Sequence, residues 1–111
     1  MNMTVTEFAA RCGLETIALP DGEREITGAY MGDLLSWVMS RAKTGDAWVT
    51  IMSNLNIVAV ATLTECACII LAESVTADEK VIDLCKSKGV NLLSSELTAF
   101  QLAVKLSEVL I

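Results

Sequence analysis

The sequence contains no histidine among its 111 residues. Histidine is the usual general base near neutral pH and a member of most catalytic triads, so its absence excludes those arrangements. The phosphate-binding pattern GxxxxGK[ST] is also missing, because residues 86–89 (Lys-Ser-Lys-Gly) have its elements in the wrong order and at a predicted helix end. These absences predict a protein that is not an enzyme and has no catalytic residues.

Basic residues are scarce. Eight Lys and Arg residues stand against fourteen Asp and Glu residues, which gives a net charge of −6. A protein that binds nucleic acid needs a surplus of Lys and Arg to neutralise phosphates. The sequence therefore predicts no nucleic-acid partner.

The four cysteines form no CxxC pattern and have no histidine beside them, so we expect neither a metal site nor a cofactor. Residues 1–11 include Glu7 and lack the basic leader and apolar segment of a signal peptide. Reduced thiols in a cytoplasmic protein are the expected state. The alternative of an enzyme with a reactive thiol would rest on Cys85, which lies on a predicted helix.

The apolar content is high, with 53% hydrophobic residues and a mean hydropathy of +0.54. A domain of this length buries only roughly two thirds of its surface, which predicts self-association. The longest uncharged stretch, residues 47–64, contains Ser53, Asn54 and Asn56, so we expect no membrane span. The last predicted helix is apolar around much of its circumference, and we expect one side to contact a partner subunit; the alternative is a helix that is fully covered within the core.

Strand-like and helix-like segments alternate along the chain. Apolar runs near residues 26–31, 48–52, 67–72 and 90–93 each end at a small polar cluster typical of a helix start. Such alternation predicts an α/β fold: a single three-layer domain over residues 1–111, with a mostly parallel sheet of about four to five strands flanked by helices.

The helix boundaries follow from capping residues. Thr4 and Glu7 have the spacing of a capping box before a first helix that ends at Gly13. Asp33 is predicted to cap the next helix, and Asn56 to cap a short helix whose sequence, IVAVA, also suits a strand. Later helices are expected over residues 78–87, with Asp78 as the N-terminal cap and Gly89 just after the end, and over residues 97–110.

The carboxyl ends of parallel strands are the edge where such sheets bind ligands. Backbone N–H groups at helix starts and nearby hydroxyls favour anions there, whereas the acids in the same clusters would repel phosphate. Gly28 and Gly32 fit a close approach of the backbone at a strand end, and the alternative is that they serve an ordinary turn or bulge. The predicted ligand-binding residues are Gly32, Asp33, Ser53, Asn54, Asn56, Glu73, Ser74, Ser94 and Ser95.

Several phrases resemble the DRTGG domain family: TGAYMGDLLSWVM, AWVTIMSNLNIVAVA, ACIILAES and GVNLLSSELTAFQLAVKL. The resemblance implies an α/β domain, usually dimeric, of the kind attached to CBS-pair proteins, phosphotransacetylases and some pyrophosphatases. It also implies a fold similar to the N-terminal domain of HPr kinase/phosphorylase, which lacks the catalytic machinery of that enzyme.

The motif that names this family is altered here. Asn54–Leu55 stands where members have Asp-Arg, and Ala72, Glu73 and Ser74 stand where members have Thr-Gly-Gly. Loss of the arginine removes a phosphate partner. We therefore hypothesise a non-catalytic regulatory or protein-interaction module that acts as a homodimer. The alternative is a sensor that binds a nucleotide or phosphorylated metabolite at the strand ends.

Overall fold

The computed structural model describes residues 3–110. These residues form five strands and five helices in an alternating order after the first helix and strand. The strands are β1 (Glu15–Ala18), β2 (Gly28–Met31), β3 (Asp46–Thr50), β4 (Cys68–Leu71) and β5 (Leu92–Ser94). The helices are α1 (Val5–Cys12), α2 (Leu35–Arg41), α3 (Asn56–Thr64), α4 (Glu79–Lys88) and α5 (Ala99–Val109).

The strands form one sheet in the order β1-β5-β4-β3-β2. β2, β3, β4 and β5 are parallel, and β1 pairs antiparallel with β5. The α/β fold with a mostly parallel sheet is therefore confirmed. Residues 56–64 are helical, so the helix was the right choice for the IVAVA segment.

The helices cover both faces of the sheet. Each connection from β2 to β5 moves one strand in the same direction, and right-handed crossovers then place α2, α3 and α4 on one face. Their buried side chains form one apolar cluster, which includes Val38, Ile57 and Cys85. α1 and α5 contribute Phe8 and Leu102 to a second cluster on the opposite face. The predicted three layers follow from this arrangement.

The central strands are buried on both faces because each lies between two helical layers. Trp48 and Ile69 point to the α2–α4 side, whereas Val49 and Ile70 point to the α1–α5 side. Trp48 is fully buried, and its indole Nε1 donates a hydrogen bond of 2.9 Å to the Gly32 carbonyl. The end of β2 is thereby fixed to the centre of the sheet.

Several predicted caps are confirmed. Thr4 and Glu7 form the capping box of α1, and Asp78 accepts a hydrogen bond from the Val81 N–H at the start of α4. Gly13 and Gly89 follow α1 and α4 with φ angles of 68° and 72°. Glycine adopts this left-handed conformation without the steric penalty of a Cβ.

Three predicted helix starts were wrong. Asp33 does not cap α2, because its carboxylate bonds across to the end of β3 instead. Asn56 is the first residue of α3 rather than its cap, and its N–H is bonded by the Asn54 side chain at 2.9 Å. α5 begins at Ala99, two residues late, because Thr98 and Gln101 form a capping box there.

A buried asparagine joins the loop after β1 to the centre of the sheet. Asn91 is 1% exposed, and its side chain donates to the carbonyls of Asp21 (2.8 Å) and Ala67 (2.9 Å). Its Oδ1 accepts from the Asp21 N–H at 2.9 Å. The Asn91 side chain thus satisfies backbone groups of the loop after β1 and of the residue before β4, which are not paired with other strands there.

No helix among residues 3–110 is long and apolar enough to cross a membrane.

Candidate functional site

At the carboxyl edge of the sheet, the chain leaves β4 and β5 toward opposite faces. The connection after β4 leads to α4 on one face, whereas the connection after β5 leads to α5 on the other. Parallel α/β sheets open a crevice at such a point, because the two loops leave the edge in opposite directions.

A cleft of about 540 Å³ lies at this point, and we call it the switch-point cleft. Its volume falls within the usual range for small-molecule sites, roughly 300–1,000 Å³. Four hydroxyl groups, one lysine and two carboxylates line it. The lining residues are Cys12, Gly13, Glu15, Ser74, Val75, Thr76, Ser94, Ser95, Glu96, Leu97 and Lys105.

The loop after β4 has an unusual backbone. Glu73 and Ser74 have φ angles of 56° and 61°, the left-handed region in which residues other than glycine are disfavoured. The resemblance described above places glycine at both positions. The backbone conformation thus matches glycine, although this chain carries side chains there.

Neighbouring carbonyls hold this loop in place. The Glu73 N–H donates to the Leu97 carbonyl and the Ser74 N–H to the Ser95 carbonyl, both at 2.9 Å. The Val75 N–H donates to the Ala72 carbonyl at 3.1 Å. These three amides are therefore occupied, whereas the hydroxyls of the cleft and the Lys105 ammonium on α5 can donate to an anion.

Glycine at either left-handed position should stabilise the domain. A residue with a Cβ in the left-handed conformation destabilises the folded state by roughly 1–2 kcal/mol, and glycine removes this penalty. Glycine also gives the unfolded chain more conformational freedom, which offsets about 0.4–1 kcal/mol of the gain. Glu73→Gly and Ser74→Gly are each expected to raise the free energy of unfolding by about 0.5–1 kcal/mol in denaturant titrations. Glu96→Gly is the control, because Glu96 lines the switch-point cleft and has no positive φ, so this substitution should lower the free energy of unfolding. If both loop substitutions destabilise the domain, the backbone at residues 73 and 74 is not strained.

A smaller cleft of about 230 Å³ lies beside the switch-point cleft, between the ends of β2, β3 and β4. Gly32, Asp33 and Glu73 line it. Asp33 Oδ1 accepts hydrogen bonds from Thr50 Oγ1 (2.8 Å) and from the Ile51 N–H (2.9 Å). The Gly32 N–H donates to the Val49 carbonyl at 3.2 Å. Gly32 and Asp33 therefore hold the ends of β2 and β3 together.

The remaining predicted residues lie apart from both clefts. Ser53 and Asn54 lie in the loop before α3, and Asn56 is the first residue of α3, where its N–H donates to Asn54 Oδ1. The structure thus divides the nine predicted residues into three groups. Ser74, Ser94 and Ser95 line the switch-point cleft, Gly32, Asp33 and Glu73 line the smaller cleft, and Ser53, Asn54 and Asn56 lie at the start of α3.

Sequence reasoning missed the residues that complete the switch-point cleft. Cys12 and Gly13 end α1, Glu15 begins β1, and Lys105 lies on α5. They reach the cleft because α1 and α5 share one face of the sheet and β1 pairs with β5, so Glu15 stands opposite Ser94. The lysine in the apolar last helix was the available signal, but nothing in the sequence indicated where that helix packs.

The thiols differ in exposure. Cys66, Cys68 and Cys85 are buried, and burial raises the pKa of each, that of Cys85 to about 11. Cys85 is therefore a poor candidate for a reactive thiol. Cys12 is partly exposed at the cleft, where burial raises the pKa of its thiol and the Lys105 ammonium opposes that shift.

Among residues 3–110, no three His, Cys, Asp or Glu side chains converge on a point that could hold a metal ion.

Comparison with known proteins agrees with this architecture. A comparison with curated proteins found no matching sequence. Among solved structures, the chain is similar to the CBS and DRTGG domains of the regulatory region of Clostridium perfringens pyrophosphatase, complexed with its activator, diadenosine tetraphosphate. The TM-score is 0.76 at 11% sequence identity, and the match covers 98% of this chain and 50% of the other. At this identity the likeness shows the fold alone, and this chain spans half the length of that regulatory region.

The DRTGG domain family matches residues 29–109, from β2 to the end of α5. This range includes the four parallel strands, their connecting helices and most of the switch-point cleft. It covers well over half of the chain. The chain therefore belongs to the DRTGG domain family.

Proposed function

We propose that this protein is a non-catalytic regulatory domain that senses a small phosphorylated metabolite, with a nucleotide as the leading candidate. The observation that carries the proposal is the switch-point cleft, which joins hydroxyls and a lysine at the edge where parallel sheets bind ligands. In the proposed complex the ligand changes the stability and surface of the domain, and no bond is made or broken.

The chemistry of the cleft suits a nucleotide. Lys105 supplies a positive charge for phosphate, and the hydroxyls of Ser74, Thr76 and Ser94 can donate to phosphate oxygens. The Glu15 carboxylate, at the start of β1, accepts hydrogen bonds only and therefore suits ribose hydroxyls or a base amino group. A ligand with both an anionic and a hydroxyl-rich part uses both sides of the cleft.

The similar structure supports this class of ligand. The regulatory region of the Clostridium perfringens pyrophosphatase, which contains CBS and DRTGG domains, is complexed with diadenosine tetraphosphate as activator. We propose that this chain responds to a ligand of the same chemistry. The four cysteines among residues 3–110 are free thiols, which fits the reducing cytoplasm in which we place the protein.

Thermal unfolding with and without ligand tests the proposal. A ligand at a hundred times its dissociation constant adds about 2.7 kcal/mol, which raises the unfolding midpoint of a domain near this size by roughly 10 °C or more. We expect ATP or diadenosine tetraphosphate to produce such a rise. Lys105→Gln should weaken the apparent affinity at least roughly tenfold, because a charged partner contributes more than about 1.4 kcal/mol.

Lys86→Gln is the matched control, since Lys86 is exposed on α4 and lines neither of the two clefts. Its midpoint should rise with ligand as in the wild type. Absence of any ligand-dependent rise would contradict the sensor. A rise that both lysine variants retain in full would contradict the assignment to the switch-point cleft.

A homodimeric interaction module is the second candidate, and exposed apolar side chains favour it. Phe100 and Val104 on the outward face of α5 are 77% and 44% exposed, whereas Leu102 and Leu106 face the core. Trp37 on α2 and Leu63 on α3 are 52% and 70% exposed. Large exposed apolar side chains are common where proteins associate, so we propose that the sensor works as a homodimer.

A further inference from the structure

The two edges of the sheet differ in a way that bears on association. β1 forms one edge and β2 the other. β1 carries Glu15, has a register shift between Thr16 and Ala18, and is followed by Pro20. Charges, bulges and proline are the features by which proteins protect an edge strand from pairing.

β2 has none of this protection. Its four residues, Gly28, Ala29, Tyr30 and Met31, are uncharged, contain no proline and keep a regular register with β3. Among residues 3–110, no strand pairs with its outer side. The backbone of β2 therefore presents a regular row of donors and acceptors that can accept another strand.

The register with β3 fixes which backbone groups point outward. The Gly32 N–H donates to the Val49 carbonyl, and Met31 stands opposite Val49. Since the direction of backbone groups alternates along a strand, Tyr30 and Gly32 bond inward to β3. Ala29 and Met31 direct their N–H and C=O groups to the outer edge.

We propose that the outer edge of β2 pairs antiparallel with β2 of a second copy of this chain. The proposal rests on the homodimer proposed above and names its interface. In this register Ala29 of one copy bonds to Met31 of the other, and the two Tyr30 residues meet on the two-fold axis. The pairing joins two five-stranded sheets into one continuous sheet.

Charge complementarity favours a second copy as the occupant. Arg41, Lys43 and Asp46 line a cleft of about 470 Å³ beside the amino end of β2, and the Asp46 carboxylate accepts a hydrogen bond from the Lys43 N–H, so two cations stand against one acid there. Asp33 follows the carboxyl end of β2, and Glu73 lines the same small cleft as Asp33. Antiparallel pairing brings the basic end of each copy next to the acidic end of the other.

The exposed apolar side chains adjoin this edge. α5 packs on β2 and β3, and α2 follows β2 directly on the opposite face. Phe100 on α5 and Trp37 on α2 are thus carried by the two helices that flank the edge. A four-residue strand pair alone buries less than the roughly 800 Å² per partner of a stable interface, and these helices extend the contact.

Two substitutions test the interface by solution mass at micromolar concentration. The wild type is expected at twice the 11.9 kDa of one chain. Ala29→Pro removes one outward N–H and leaves the bonds to β3 intact, so it should weaken dimerisation at least roughly tenfold. Ala29→Ser keeps the N–H and should remain dimeric. Circular dichroism verifies that each variant is folded.

A disulfide gives an independent test of the register. Directly opposed residues of a non-hydrogen-bonded pair have Cα atoms about 4.5 Å apart, within disulfide range. Tyr30→Cys is therefore expected to form a covalent dimer under mild oxidation. Ala29→Cys, with its partner thiol displaced by two residues to about 8 Å, should not.

The outcomes distinguish a failure of the proposed β2 interface from a failure of the proposed homodimer. A wild-type monomer overturns both the β2 edge and the homodimer. A dimer that Ala29→Pro does not weaken and Tyr30→Cys does not cross-link overturns the edge alone.

Discussion

Asn91→Ala is expected to lower the free energy of unfolding by roughly 2–4 kcal/mol, because a buried amide that serves three backbone groups is removed. The Ala67 carbonyl, in a residue 1% exposed, loses this donor in a place that water does not reach freely. The Asp21 groups lie at the surface and can turn to water, so they contribute the smaller part.

Thermal unfolding measures the effect directly. A loss of this size corresponds to a fall in the midpoint of roughly 10–25 °C for a domain near this length. Asn54→Ala is the control, since Asn54 is exposed and makes one local bond to the Asn56 N–H. Asn54→Ala should lower the free energy of unfolding by less than about 1 kcal/mol. A fall for Asn91→Ala no larger than that of Asn54→Ala would show that the buried amide does not hold the loop.

Alkylation of the native protein is expected to modify Cys12 and to spare the other three thiols. Cys68 and Cys85 are fully buried and Cys66 nearly so, and burial raises the pKa of each. Their reaction requires opening of the core, which for a domain of ordinary stability slows it by at least ~10³-fold relative to an accessible thiol.

The pH dependence of this reaction follows from the thiolate. Burial holds the pKa of Cys12 above its ordinary value, so the thiolate fraction and the labelling rate should rise about tenfold per pH unit between pH 7 and 8. Mass spectrometry after timed labelling identifies the modified residue, and Cys12→Ser is the control that should remain unlabelled. Rapid native labelling of Cys85 would contradict the packing of α4 on the sheet.

The fold was largely predictable because its signals are local. The alternation of apolar runs with polar clusters fixes which segments are strands, and Thr4 and Asp78 mark helix starts by side-chain chemistry alone. The Asp33 prediction failed because that side chain has distant competitors for its hydrogen bonds. Asp33 bonds to Thr50 and Ile51, 17 and 18 residues away, and a local capping rule cannot include those partners.

The candidate site was predicted only in part for the same reason. Ser74, Ser94 and Ser95 were found because they end neighbouring parallel strands. Lys105 and Cys12 reach the same cleft through the packing of α1 and α5, which the sequence does not encode as a local pattern. Asn91 was overlooked because a single asparagine in an apolar segment, just before β5, carries no motif.

Labelling of Cys12 with and without diadenosine tetraphosphate tests directly whether the switch-point cleft binds the ligand. Cys12 lines the switch-point cleft beside Lys105, so a ligand bound there covers the thiol. We expect the labelling rate to fall at least roughly tenfold at a saturating ligand concentration, since the fraction of protein with an empty cleft becomes small. An unchanged rate at a concentration that raises the unfolding midpoint would contradict binding in this cleft.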